Sequence, residues 1–428
     1  MVQRLRVLSD TLSANFFVLP AVAVILAFWL GRVAVGFDAG AWVGEATVDS
    51  ARAVLSTVAA ATITFAAISF SVSLLIIQQG SSQFSPRVIH GLTRDPFNRR
   101  VIAFVLATFT YCLVVLQRVR GPLEDGGDEV VPSSAVALGV VAGIAAVLAV
   151  VGAIHHTSRK MYISEILGGI VNDALDATRA DIGELRPIDP IPPPDDELAS
   201  TVVRFAADGW IREVDRPAIL SVAAPGGFVR LETDTGRYAI RSTPICTIWP
   251  AVPVGDLDDV MHRARAAVTT GPTRTMSEDG GYGVRQLVDI ALRALSPGIN
   301  DPTTAQDAIL HLGTVLVARL SEPPMPTAYE DDDGRCLLAP QAMSDIELAE
   351  LAMTELRAIA AGNPTVCGYL FELLGDVIDA ARSAGAGEER VAPFAEQARL
   401  LRHAAGTVLE LDQDRVAVQR SYAARFGP

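Results

Sequence analysis

The first 160 residues are dominated by four runs free of charged side chains: Phe16–Leu30, which continues past Arg32 to Val35, then Ala53–Gln79, Val101–Gln117 and Ser133–Ile154. A helix needs about 20 residues, at about 1.5 Å each, to cross roughly 30 Å of hydrocarbon. The runs therefore predict four transmembrane helices, the 17-residue third run at the short limit. No small-residue cleavage site follows the first run, which predicts a retained helix rather than a removed signal peptide. The fourth helix is expected to continue through His155–Glu184, with Ile163, Ile166, Leu167, Ile170, Val171 and Leu175 on one side. Prolines 187, 190, 192, 193 and 194 then break it into a linker.

The pattern changes after the linker. Val202, Val203, Phe205, Trp210, Ile211 and Val214 predict a strand pair turning near Asp208-Gly209. Phe228–Thr233 and Arg237–Ile240 flank Asp234-Thr235-Gly236, a hairpin signal, and Ile245–Trp249 closes the run. Helical periodicity follows over Val254–Thr270 and Tyr282–Leu295, the second through Leu287, Ile290, Ala291, Ala294 and Leu295. Thr327–Pro340, with the acidic run Glu330–Asp333, predicts a solvated loop rather than a calcium site, because its oxygens lack EF-hand spacing. Ser344–Ala361, Val366–Ser383, Glu388–Glu410 and Gln413–Phe426 predict a terminal helical bundle. The expected fold class is a membrane α-helical domain with four transmembrane helices plus a cytosolic α+β region holding a small β-barrel or sandwich and a C-terminal helical bundle. The expected boundaries are 1–160 for the membrane domain, 161–195 for the helix extension and linker, 196–253 for the β domain and 254–428 for the helical domain.

Charge refines this picture. The net charge of −14 is uneven: residues 1–160 carry 12 basic and 9 acidic side chains, the remainder 23 and 40. An acidic second half excludes a general nucleic-acid binder, which needs a basic face. Lys/Arg placement sets orientation. Arg4, Arg6, Arg87, Arg94, Arg99, Arg100, Arg159 and Lys160 fall on one side; Arg118, Arg120 and the boundary residues Arg32 and Arg52 fall on the other. This predicts a multi-pass protein of the bacterial inner (plasma) membrane with both termini cytoplasmic.

Candidate chemistry is sparse. Lys160 is the only lysine, which excludes a Walker-type loop, and a biotinyl-carrier role for the β segment, which has no attachment lysine. Cys112, Cys246, Cys336 and Cys367 show no zinc or redox spacing. No HExxH, GxSxG or GxGxxG motif occurs. No enzyme activity, catalytic residue, cofactor or metal is expected. His155-His156 sits at the membrane exit, as an interfacial anchor or a pH sensor.

The second run is unusual for its hydroxyls. Thr57, Thr64 and Ser71 recur every seven residues, and Thr62, Ser69 and Ser73 form a second stripe roughly opposite. Two readings stand: close helix packing with hydroxyls bonded to their own backbone, or one stripe packed and the other lining a water-filled path on an oligomer axis. On the second reading Thr57, Thr64 and Ser71 are pore-lining candidates, and Gln83, Ser85 and Arg87 stand at the cytosolic mouth. No Asp, Glu or Lys lies mid-membrane, which argues against a proton-driven carrier. Gly139 and Gly143, one step after Ala135, form a small-residue row for helix packing, within the chain or between copies.

Two motifs carry a resemblance. One is Gln78-Gln79-Gly80-Ser81-Ser82-Gln83-Phe84-Ser85-Pro86-Arg87; the other runs from Leu287 through Ser296-Pro297-Gly298-Ile299-Asn300-Asp301-Pro302 to Ala305. Together they resemble the bacterial predicted membrane protein family DUF2254, a domain of unknown function. The resemblance covers nearly the whole chain, implies the architecture above and brings no activity. In the second motif Asp301 is expected to cap a helix with Pro302 at its first position. Ser296, Gly298 and Asn300 are left for a ligand or a subunit contact. Arg274, Glu278, Asp279, Arg285 and Asp289, just before or within it, form an ion-pair network or hold a ligand. The functional expectation is a homo-oligomeric, channel-like membrane protein with a cytosolic regulatory assembly. The alternative is a non-conducting membrane-anchored sensor or scaffold. The expected partners are the lipid bilayer, further copies of the chain, and a small ion or anionic ligand; nucleic acid is not among them.

Overall fold

The computed structural model describes residues 18–34, 47–83, 96–121, 130–159, 162–177, 185–195, 197–276, 279–339 and 343–427. The chain divides into two compact units, Met1–Glu165 and Ile166–Pro428.

The first unit is helical: α1 Val18–Ala34, α2 Val48–Gln83, α3 Pro96–Leu116 and α4 Ser133–Arg159. Three stretches are long and apolar enough to cross a membrane: Val48–Leu75, Phe97–Leu116 and Ser133–Arg159. The described part of α1 is shorter, rising about 25 Å at 1.5 Å per residue. Its Ile25, Leu26, Trp29 and Leu30 are exposed, as are Val141, Ile144, Leu148 and Val151 on α4, so the outward faces are those lipid accepts. Inside, α3 packs on α1, α2 and α4. Leu55, Ala59, Tyr111, Cys112 and Ala135 share one core, where the Tyr111 hydroxyl donates to the Ala135 carbonyl at 3.0 Å.

The second unit mixes strands and helices. Helix α5, Ile163–Ala177, is separate from α4, with Tyr162 at a bend before it. Two sheets follow. One runs in the order β1 (Arg186–Pro187), β8 (Ala328–Glu330), β9 (Cys336–Leu338), β4 (Phe228–Leu231), β6 (Pro244–Trp249) and β2 (Thr201–Arg204). The other runs β5 (Tyr238–Ala239), β3 (Gly209–Val214), β7 (Val268–Gly271). Among the described residues neither sheet closes, so the expected barrel is corrected to two open sheets. The strand pair expected across Asp208-Gly209 splits, β2 joining one sheet and β3 the other. The Asp234-Thr235-Gly236 turn is present, with Gly236 at φ 78°, but it carries the chain between sheets instead of closing a hairpin. The strands are also not confined to 196–253. β4 pairs in parallel with β9, Phe228 opposite Cys336, and β8–β9 replaces the loop expected over Thr327–Pro340. Asp331 builds that hairpin turn: it accepts the Asp333 and Arg335 amides, both at 3.0 Å, and pairs with the Arg335 guanidinium at 2.9 Å.

Helices α6 (Arg216–Leu220) and α7 (Leu257–Ala266) accompany the sheets, whose core holds Val203, Ile211, Ile219, Val229, Ile248 and Leu337. The C-terminal bundle comprises α8 Gly280–Ala294, α9 Pro302–Ser321, α10 Asp345–Ala360, α11 Pro364–Ser383, α12 Glu388–Val408 and α13 Asp412–Phe426. Its starts follow local rules. Asp279 caps α8, Ser344 and Glu347 form a capping box on α10, and Asn363 precedes Pro364 on α11. Burial pushes the Cys246 and Cys367 thiols up to about 12, so both behave as apolar core side chains.

Candidate functional site

On α2 the two hydroxyl stripes meet different surroundings. Thr62 is buried and donates to the Val58 and Ala59 carbonyls at 2.9 and 3.0 Å. Ser69 and Ser73 line a crevice of about 20 Å³ with Asn98 of α3 and Thr157 of α4, which bond each other at 2.9 Å. Thr57, Thr64 and Ser71 are exposed. Each donates to the carbonyl four residues back, Ala53, Ala60 and Ala67, at 2.7, 2.8 and 2.9 Å. Those three alanines are exposed too. Ala53, Thr57, Ala60, Thr64, Ala67 and Ser71 thus form one continuous seam with alternating steps of four and three, the spacing of a helix–helix seam.

Gln83 ends α2, and its side chain lies outside the described residues, as do Ser85 and Arg87 altogether. Gly139 and Gly143 face α2. A Cβ on Gly139 would lie 3.1 Å from Leu55 Cδ2, and one on Gly143 would lie 2.6 Å from Val58 Cγ1.

The Ser296–Asp301 loop spends its polar groups on itself. Ser296 Oγ donates to the Arg293 carbonyl at 2.6 Å, and the Ile299 and Asn300 amides donate to the Ser296 carbonyl at 3.0 and 2.9 Å. The Asp301 amide returns to the Ala294 carbonyl at 2.8 Å. Asn300 takes φ 50°, a left-handed conformation asparagine tolerates. Gly298 is exposed with open space around it. Asp301 caps α9, accepting the Thr303 and Thr304 amides at 3.1 Å and the Thr304 hydroxyl at 2.7 Å. These bonds, the Thr304 hydroxyl first, hold its carboxyl below the usual range. Asp301→Ala is expected to cost about 1 kcal/mol at neutral pH. A lowered folded value means the stabilisation is present above the unfolded carboxyl value and lost as pH falls through the folded one. The cost of Asp301→Ala should therefore shrink on acidification while Asp301→Asn, which keeps the cap, stays near wild type at neutral pH. Melting curves of the three proteins across pH check this; a pH-independent gap would exclude the cap as its source.

The charge cluster before the motif separates. Arg285 pairs with Asp289 at 2.6 Å and with Glu355, tying α8 to α10. Arg274 and Asp279 instead line a cavity of about 300 Å³. Glu278 lies outside the described residues. The cavity is bounded by the β4–β5 turn, the starts of α8 and α10, the end of α9, and β8. Two ion pairs are closed in its wall. Arg274 meets Asp279 at 2.5 and 3.0 Å and lies over the Tyr282 ring at 5.1 Å. Arg216 Nη2 meets Asp234 Oδ1 at 3.0 Å, with side chains 7% and 15% exposed. Glu347 lines the cavity but is engaged with Ser344, whose amide and hydroxyl reach Oε2 at 2.8 and 2.9 Å.

Two buried or half-buried wall groups are uncommitted, and Arg237 and Glu322 are exposed in the lining without an ion pair among the described residues. Arg319 is half-buried, and among the described residues no carboxylate lies within the 4.0 Å ion-pair distance of its guanidinium. Burial, with Arg390 nearby, pulls its pKa down, against Asp345 and Glu322. Tyr329 is 1% exposed, and among the described residues its hydroxyl has no hydrogen-bond partner. Burial raises its pKa, Arg216 opposing and Asp234 adding. Apolar wall is supplied by Val284, Val315, Met325, Met343 and Leu348. Neither Arg319 nor Tyr329 stands among the sequence candidates. The available signal was Arg319 itself, a guanidinium in the row Val315, Leu316, Leu320 on the inner side of α9. Among the described residues no group of three or more His, Cys, Asp or Glu is arranged to hold a metal.

The chain matches a family described as a predicted membrane protein, DUF2254, over residues 13–376. It is similar to uncharacterized proteins of Mycobacterium bovis and Mycobacterium tuberculosis strain H37Rv, each 28% identical over 393 residues. Those alignments cover 88% of this chain and 74% of each relative. No solved structure matches the chain. With apolar helices in the first unit and a family match across most of its length, the chain belongs to the predicted membrane protein family DUF2254.

Proposed function

We propose that this protein is a homo-oligomeric, channel-like protein of the bacterial inner membrane, with four membrane crossings and both termini cytoplasmic. In this reading α2 packs against its copies around a symmetry axis, and α1 supplies the fourth crossing. One observation carries it: the exposed seam Ala53, Thr57, Ala60, Thr64, Ala67 and Ser71 on a helix whose opposite face is already covered by α3 and α4. Lipid gains little from small, hydroxylated side chains, whereas close helix approach gains dispersion contact along the whole seam. Gln83, Ser85 and Arg87 stand at the cytosolic end, where one Arg87 per subunit forms a positive ring that favours anions. The eight-to-four Lys/Arg bias supports the orientation. No enzymatic step is part of the reading. A second reading, a non-conducting membrane-anchored sensor or scaffold, is favoured by the hydroxyl bonding: each seam hydroxyl already donates to its own helix, which suits dry packing.

A cysteine panel in a background lacking Cys112, Cys246, Cys336 and Cys367 tests the assembly. Ala60→Cys, Thr64→Cys and Ala67→Cys are expected to form intersubunit crosslinks on oxidation; Ile63→Cys and Phe70→Cys, on another exposed face, are not. Pro122→Cys and Pro192→Cys should be labelled from opposite sides of the membrane. A mass in detergent of one 45.3 kDa protomer, with no crosslinks, sinks the oligomer. In bilayers, Thr64→Leu is expected to cut conductance and Arg87→Glu to reduce or reverse anion preference. No current under any pH, voltage or tension selects the non-conducting reading.

A further inference from the structure

The cavity of the second unit holds more donor capacity than its own wall uses. Its two closed ion pairs, Arg216–Asp234 and Arg274–Asp279, neutralise one another, and Glu347 is committed to its cap. What remains is Arg319 and Tyr329 in the wall, with the exposed Arg237 guanidinium set against the exposed Glu322 carboxylate. The Arg319 guanidinium lacks a carboxylate at ion-pair distance, and the Tyr329 hydroxyl, almost fully buried, has no partner among the described residues. Gly280 and Gly281, the first two residues of α8, also line the cavity, and the amides of a helix's first turn have no acceptor within the helix. Glycine at both positions leaves that backbone approachable; a Cβ on Gly281 would lie 2.6 Å from Met343 Cε. The Tyr329 hydroxyl opens on the cavity and finds no partner in the described wall, so its place there points to a group that completes it.

The other side of the cavity is apolar: Val284 and Val315 from α8 and α9, Met325 and Met343 from the connecting segments, and Leu348 from α10. Methionine side chains adapt to ligands of varied shape. A volume of about 300 Å³ lies at the small end of small-molecule sites. We infer that this cavity binds a small organic oxyanion, a phosphate or carboxylate on a compact apolar body. Arg319, the Tyr329 hydroxyl and the Gly280–Gly281 amides take the anionic head. The methionines and valines take the body. Arg274 stays with Asp279, so the site gains one net negative guest without breaking a wall ion pair. Glu322, exposed at the rim, selects against guests whose charge extends beyond the head. The inference is independent of whether α2 conducts, and its test reads neither assembly nor current.

Full-length protein in lipid nanodiscs is titrated by calorimetry with 1-naphthyl phosphate, 1-naphthoate and neutral 1-naphthol, with empty nanodiscs subtracted. At least one of the two anions is expected to bind saturably, and the preferred one identifies the head group. Arg319→Gln should weaken it by about tenfold or more, the loss expected for a hydrogen bond to a charged group. Tyr329→Phe removes a single oxygen. It should weaken binding several-fold while leaving the melting temperature of the ligand-free protein unchanged or raised, because an unpaired hydroxyl is lost. A residue needed only for folding would lower that temperature instead. Should Arg319→Gln fail to fold, Tyr329→Phe alone decides. The inference is overturned if neither anion binds at millimolar concentration, if naphthol binds as tightly as the anions, or if binding is unchanged in both variants.

Discussion

Arg390→Ala is expected to destabilise the second unit by about 3–5 kcal/mol, the cost of removing one partner from a buried charged network. Arg390 lies on α12 and is 9% exposed. Its Nη1 donates to the carbonyls of Leu320 and Glu322 at 2.9 and 2.7 Å, closing the C-terminal end of α9, where those carbonyls have no intrahelical donor. Its Nε and Nη2 meet the Asp345 carboxylate at 2.9 and 3.3 Å, at the start of α10. One guanidinium thus joins α12 to the end of α9 and the start of α10, both more than 40 residues earlier in the chain. Alanine leaves two carbonyls and a partly buried carboxylate without donors. Arg390→Lys keeps the charge but not the planar fork, and should fall between the two. For a unit of this size the alanine change corresponds to a fall in melting temperature of about 10 °C. Arg399→Ala, at an exposed pair with Glu396 one turn away, is the control and should shift it little. Equal effects of the two substitutions would refute the role given to Arg390.

Arg390 also shows what local pattern conceals. The helix that carries it is legible from its 3.6-residue periodicity, as are α8 to α11 and α13, and the caps of α8 to α11 are also written at each start. Asp301 before Pro302 is the clearest case: the residue types alone predict the cap that is found. What a helical arginine meets is set by elements distant in the chain. Arg390 reaches residues about 70 positions earlier, and nothing between Glu388 and Val408 distinguishes it from Arg399, which pairs locally with Glu396.

The sheets fail to be legible for the same reason, more severely. The apolar pattern identifies strands over Phe228–Thr233 and Ile245–Trp249, and the strands found there do pair, Phe228 opposite Trp249. Alternation says nothing about β9 arriving parallel to β4 from more than 100 residues later. The three residues Cys336–Leu338 are too few to show a period, and the acidic stretch before them reads as solvent-facing because each carboxylate is counted alone. In the structure Arg335 takes both Asp331 and Asp333, so the stretch is a turn with its charges paired. The cavity follows suit. Arg274 and Asp279 are visible as a cluster, but Tyr329 and Arg319 join them only through the fold. On α2 the two stripes are visible from periodicity; which one is covered depends on α3 and α4.

Gly143→Leu is expected to separate α2 from α4 and abolish the packed state of the first unit. The effect scales with how much the neighbour can yield. A Cβ at Gly143 would sit 2.6 Å from Val58 Cγ1 and 3.4 Å from Cγ2, against a β-branched side chain held stiffly on its own helix. A Cβ at Gly139 would meet the end of the longer Leu55 side chain at 3.1 Å, where a small rotation makes room. Gly143→Ala should therefore cost about 1–3 kcal/mol, an ordinary overpacking penalty, and Gly139→Ala clearly less. Gly143→Leu adds three more carbons to the same contact and exceeds both. The cause is checked by relief: Val58→Ala removes the opposing methyls, so the Gly143→Ala/Val58→Ala pair should be more stable than the sum of its single changes predicts. Unfolding of the four proteins in one detergent, followed by the far-UV signal, gives the coupling directly. The seam on α2 adds a second readout, since Thr57 and Thr64 lie on an exposed side of the same helix, away from Val58. If α4 sets the position of α2, Gly143→Ala should also weaken Thr64→Cys crosslinking, and Val58→Ala should restore it. Full additivity of the two substitutions would show that the glycine is not there to admit α2.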